Sequence, residues 1–253
     1  MFNIWLRRVA RPAFFSALIL SSGLAMASGL QVSPILLSLQ ARESASGLTL
    51  TNSSNDMIHA QVRVYQWLQD EKGDQLTPSR GLLASPPMIN LKPGEKQLIR
   101  IIRAKAPPQG TGAVEDAYRL LINEIPVQSA TQKSGIQFAM SYSLPIFVQP
   151  VGVDKTSPQL QWSTNLQPDG KEVKLRVSNT GNGHAQLAGL SFTDTAGTST
   201  VINSGLLGYV LPGATMNWTL KIPPSTLTTG GKFKVMLNGN QTTPNVTMGI
   251  ATR

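Results

Sequence analysis

The chain has no cysteine, only two histidines and 13 acidic residues among 253. Without cysteine there is no disulfide framework and no thiolate chemistry, so the fold rests on burial alone. Two histidines, His59 and His184, fall in different halves of the chain, each in or beside a polar turn. Structural zinc or a nucleophile triad needs more convergent ligands or bases than that. The acids give no paired general acid and base either. Asp70, Glu71 and Asp74 share a turn with Lys72 and Gly73, and Glu115-Asp116 opens a strand. Neither group shows the isolated apolar setting that tunes a carboxylate for catalysis. The glycines of "GTGAVE" and "GNGHAQ" follow turns rather than a strand-to-helix junction, which argues against a nucleotide site. No segment carries a sustained helical period.

The first 27 residues read as a secretion signal. Arg7, Arg8 and Arg11 precede an apolar run, and Ala25-Met26-Ala27 is a small-residue cleavage site. Pro12, Ser16, Ser21 and Ser22 leave that run short of the roughly 20 residues a membrane span needs. Removing residues 1–27 takes away three arginines and lowers the formal charge from +9 to +6. The remaining basic residues are scattered, as on a solvated surface, and select neither nucleic acid nor a membrane.

Beyond the signal, short apolar-alternating segments are separated by turn clusters. "LQVSPILLSL", "SGLTLTN", "HAQVRVYQWL", "MINL", "KQLIRIIRA", "DAYRLLINEI" and "IQFAMSYSLPIFV" make seven strands before residue 150. That count fits an immunoglobulin-like sandwich. After the linker "VGVDKTSP", a second series runs from "QLQWS" to "KFKVMLNG", and "NQTTPNVTMGIATR" is a final strand or a tail. The expected fold is therefore all-β: two immunoglobulin-like β-sandwiches in tandem with a cleft between them. Their ranges are 28–150 and 151–253.

Three features look beyond bulk fold. In "GIQFAMSYSLPIFV" a stripe of Ile136, Phe138, Met140, Tyr142 and Leu144 ends before Pro145, and an apolar edge strand is an aggregation hazard unless covered. Arg100 and Glu124 interrupt apolar strands, and they are expected to pair with each other as a structural ion pair. Arg63 and Arg119 lack an obvious acid partner; each is an outward-facing arginine or a fixed cation waiting for a carboxylate.

"SPPMINLKPGEKQLIRI", "AYRLLINEIP" and "FAMSYSLPIFV" together resemble the first domain of the periplasmic pilus chaperones of chaperone–usher pathways, the family that includes PapD. "VSNTGNGHAQLAGLSF" and "VLPG" fit that family's second domain more loosely. The resemblance implies a non-enzymatic periplasmic protein without cofactor, metal or small-molecule substrate. Its partners would be pilus or fimbrial subunits and an outer-membrane usher. Its last strand in the first domain would lend the stripe to a subunit lacking its own final strand, by strand addition. The free form could cap the same edge by self-association.

Members of the PapD branch hold the subunit's terminal carboxylate with an arginine on the first strand and a lysine near the end of the donor strand. Here "LQVSPILLSLQ" and "SGIQFAMSYSLPIFVQ" contain neither. The motifs are closer to the archaic branch, and Arg119, then Arg63, is the expected replacement anchor. The competing readings are a secreted structural or adhesive β-sandwich surface protein and, disfavoured by the scarcity of histidine and clustered acids, a secreted hydrolase.

Overall fold

The computed structural model describes residues 29–70, 72–126, 139–167, 172–228 and 230–249. The proposed signal peptide lies outside the described residues. Four sheets form two β-sandwiches, and the only helix among the described residues is a single turn, α1 (Ser225–Thr228).

The first sandwich contains β1 (Leu30–Ser33), β2 (Leu37–Leu39), β3 (Ala45–Asn52), β4 (Ile58–Asp70), β5 (Gly73–Pro78), β6 (Leu82–Ser85), β7 (Met88–Leu91), β8 (Lys96–Arg103), β9 (Asp116–Ile125) and β10 (Ser141–Val148). One sheet has the order β1-β3-β8-β6, and the facing sheet has β2-β10-β9-β4-β5, with β7 also on β4. Alternate residues of each strand fill the space between them: Leu48 and Leu50 from β3, Ile99 and Ile101 from β8, Leu120 and Ile122 from β9. This is the period-two pattern of packed sheets.

The segment read as one strand, "LQVSPILLSL", is two. Pro34 lacks an N–H to continue a ladder, and the chain changes sheets there, β1 pairing antiparallel with β3 and β2 parallel with β10. "DQLTPSRGLLAS", not foreseen as strand, supplies β5 and β6; β5 buries none of its side chains and is held by pairing with β4.

The second sandwich contains β11 (Leu160–Leu166), β12 (Val173–Asn179), β13 (Ala185–Asp194), β14 (Ser199–Val210), β15 (Thr215–Leu220), β16 (Gly231–Leu237), β17 (Asn240–Thr242) and β18 (Val246–Gly249). Its sheets run β15-β12-β11-β18 and β14-β13-β16-β17. The segment left open as strand or tail thus provides β17 and β18. Trp67, Ala117 and Phe147 of the first sandwich join the second one's core. The two domains consequently share an apolar seam.

The expected Arg100–Glu124 ion pair does not form. Arg100 on β8 and Glu124 on β9 belong to opposing sheets, and Arg100 is exposed on the outer face between buried Ile99 and Ile101. Glu124 instead accepts the Met140 N–H at 3.0 Å. An alternating strand places every second side chain in solvent, so a charge between two aliphatic residues there needs no partner.

Candidate functional site

β10 serves three environments at once. Leu144, Ile146 and Val148 enter the first core, and Phe147, on the other face, enters the seam with the second domain. Along the core-facing row, cover diminishes toward the N-terminal end: Leu144 is 8% exposed, Tyr142 is half-buried, and Met140 is 44% exposed. Ile136 and Phe138, the next two positions of the stripe, lie outside the described residues.

The stripe expected as one unit is therefore divided. Leu144 belongs to its own core and cannot also be lent outward, and Tyr142 packs against that core while its hydroxyl donates to the Leu30 carbonyl. The sequence pattern could not place this division, because alternation reports the face of a strand and not how far the opposing sheet extends.

The edge of β10 is partly free. On one side it pairs antiparallel with β9 over its whole length, Ser141 opposite Asn123 through Val148 opposite Asp116. On the other side β2 covers only Ile146 to Val148. Among the described residues, no strand pairs with residues 141–145 on that side. Unpaired backbone there is a template for another strand.

Arg119 and Arg63 separate clearly. Arg119 lies between Pro145 on β10 and Tyr65 on β4. Its guanidinium carbon sits 3.6 Å from the centroid of the Trp67 ring and 5.1 Å from that of Tyr209. Stacking of this kind suits the flat, weakly hydrated guanidinium. Its nearest ion-pair partner among the described residues is Asp74, with Nη2 and Oδ2 3.9 Å apart. Burial lowers the Arg119 pKa from its usual value, against the opposing pull of Asp74 and Tyr209. Arg63, by contrast, is exposed and lines an open groove of about 430 Å³ with Tyr65, Pro78 and Ser79. No ion pair engages it among the described residues.

A second polar cluster, which sequence reasoning missed, fixes the two domains together. Glu115, buried although it precedes a strand, accepts hydrogen bonds from the Thr156 hydroxyl and from the His184 backbone N–H at 2.8 Å. The His184 ring nitrogen Nδ1 is also 2.8 Å from the Glu115 carboxylate. That ring stacks on Phe147, centroids 3.5 Å apart and planes 1° from parallel. Burial alone would raise the Glu115 pKa; the bonds and charge from His184, with the Thr156 bond, outweigh it and hold the carboxyl below its ordinary value.

Gln69 completes the seam. Its Nε2 donates to the Tyr209 carbonyl at 3.0 Å, and its Oε1 accepts from the Leu211 N–H at 2.8 Å. The partners lie about 140 residues apart in sequence, so no local signal could have announced the contact. Among the described residues, no group of three metal-capable side chains converges.

Residues 29–154 match the family of pili and flagellar-assembly chaperones, PapD N-terminal domain. Two fimbrial chaperones of Escherichia coli K12, both described as uncharacterized, are similar. YcbF is 29% identical over 133 residues, 50% of this chain and 54% of its own length, and YqiH is 27% identical over 113 residues, 44% of this chain and 43% of its own. The chain thus spans about half the length of the curated relatives it matches. Among solved structures, the complex of chaperone CsuC with the tip adhesion subunit CsuE, from archaic chaperone–usher Csu pili of Acinetobacter baumannii, superimposes with TM-score 0.67 and 25% identity. The match covers 88% of this chain and all of the compared one.

Proposed function

The chain belongs to the PapD-like fimbrial chaperones, with the likeness to the archaic branch that its motifs suggest, and we propose that it binds an unfinished pilus subunit by strand addition in the periplasm and delivers it to an outer-membrane usher. The observation that carries this reading is the half-free edge of β10, where an apolar row emerges from its own core at Met140. Backbone hydrogen bonds along that edge give affinity, and alternate side chains entering the subunit's groove give specificity. Ile136 and Phe138 continue the row beyond Met140 in sequence. At roughly 1.5–3 kcal/mol for each large side chain fully buried, three of them contribute about 5–9 kcal/mol before ordering costs.

Arg119 is the proposed anchor for the subunit's terminal carboxylate. It stands one strand in from the β10 edge, level with Pro145, and its flat fork suits bidentate carboxylate recognition. Arg63 is the weaker candidate: it is exposed, and among the described residues it has neither an ion pair nor a stacked aromatic ring.

Native mass spectrometry of tagged protein from its host's periplasm tests the reading. The expected species is a one-to-one complex with a small β-rich subunit, lost when Ile136, Phe138 and Met140 are together changed to serine in a protein that still folds. Absence of any partner while the host makes surface fibres would instead favour the adhesive reading.

A further inference from the structure

Resting on the reading of Arg119 as a carboxylate anchor, we propose that Asp74 is a built-in stand-in for the partner's chain end, occupying the Arg119 site until that carboxylate displaces it. The arginine side chain is only 13% exposed, yet its ion pair with Asp74 spans 3.9 Å. That distance carries charge attraction but no hydrogen bond. A guanidinium has five N–H donors arranged to meet both oxygens of one carboxylate. Asp74 therefore neutralises the site without filling its bonding capacity. A free carboxylate that reaches Arg119 at hydrogen-bond distance gains what Asp74 leaves unused.

The surroundings make the displacement inexpensive. Asp74 is on β5, which buries no side chain, and its own side chain is 46% exposed. Its departure opens no core. The other Asp74 oxygen accepts from Gln69 Nε2 at 2.9 Å, but the Gln69 amide is held independently by the Tyr209 carbonyl and the Leu211 N–H of the second domain. The seam between domains consequently stays closed when Asp74 moves away. Trp67 and Tyr209 keep the guanidinium in place for the incoming group. The stand-in thus sets a threshold: a weak internal carboxylate excludes stray anions, and a chain end brought in by strand pairing outcompetes it.

Isothermal titration calorimetry on the mature protein at low ionic strength tests this. The probes are a dodecapeptide of alternating valine and threonine with a free C-terminal carboxylate, and the same peptide as its C-terminal amide. Asp74→Asn keeps an oxygen for Gln69 while removing the charge. It is expected to bind the carboxylate peptide about fivefold more tightly than wild type does, the scale of an exposed ion pair, with amide binding unchanged. Arg119→Gln is expected to bind the two peptides equally. A wild-type preference for the carboxylate that Arg119→Gln removes but Asp74→Asn leaves unaltered overturns the stand-in and keeps the anchor. Equal binding of the two peptides by wild type and by Asp74→Asn, including no measurable binding of either, overturns both.

Discussion

The two sandwiches use the same plug at the end of their third and twelfth strands. Asn52 and Asn179 are both fully buried, each closing a strand before a polar turn. Asn52 Nδ2 donates to the carbonyls of Leu91 and Asp56, and Asn179 Nδ2 to those of Val210 and Gly183. The backbones repeat the match: Asn52 exchanges hydrogen bonds with Glu95 and Gly94, and Asn179 with Ala214 and Gly213. The loops they meet, "LKPGE" and "VLPGA", both turn through a Pro-Gly pair whose glycine has φ near +75°, at Gly94 and Gly213, a conformation glycine adopts without steric cost. What differs is β10. The second sandwich's β14 is also an edge strand that puts Val210 in its own core and Tyr209 in the seam. Among the described residues, however, only β13 pairs with it, whereas the outer edge of β10 is covered by β2 at one end and open at the other. The shared plug is thus a property of the fold, and the partly covered edge of β10 is what sets the first sandwich apart.

The largest expected effect breaks the shared part. Asn52→Ala and Asn179→Ala each strand buried carbonyls and amides without partners, at about 1–3 kcal/mol per lost group. Each is expected to lower stability by about 3 kcal/mol or more in urea unfolding. A cost confined to one of the two would end the equivalence of the domains.

A pair of substitutions on β10 sharpens the division next. Leu144→Ser should destabilise the protein by about 3 kcal/mol, since it removes a buried aliphatic group and buries a hydroxyl. Met140→Ser should leave stability within about 0.5 kcal/mol, as surface changes do, while weakening subunit capture about tenfold through lost apolar burial. Thermal unfolding and a binding titration on the same two variants separate these outcomes. Equal destabilisation by both would place Met140 in the protein's own core.

The domain seam gives a smaller, pH-dependent effect. Glu115 has a folded pKa below the ordinary glutamate value of 4.5. Its contribution is therefore fully present above that value and is lost as pH falls through the lower folded pKa. Glu115→Gln should show less loss of stability between pH 5 and the acid limit than wild type, measured by thermal unfolding across pH. The smallest effect belongs to Gln69→Ala, about 1 kcal/mol from two interdomain hydrogen bonds, and it should alter the coupling of the two domains in calorimetric unfolding more than the midpoint of either.

Most strands were legible because their signals are local. "DAYRLLINEI" and "MINL" are β9 and β7 residue for residue, since alternation and flanking turn residues are read within one segment. The apolar run of β10 was also visible, as was the scarcity of catalytic groups. The missed elements were those whose evidence is elsewhere in the chain. β5 and β6 carry weak patterns and take their shape from pairing with β4 and β8. His184 and Glu115 looked like ordinary turn and strand-opening residues, yet they meet across the domain boundary.

Sequence by itself determined an all-β chain with a sandwich-forming strand series and the apolar row of β10, because each follows from side-chain alternation and flanking turn residues within one segment. Tertiary structure alone decided that Arg100 and Glu124 lie on opposing sheets, that Leu144 is buried while Met140 is exposed, and that Arg119 rests between Trp67, Tyr209 and Asp74. Those outcomes depend on which sheet a strand joins and where the opposing sheet ends, and both are set by long-range packing that no local pattern records.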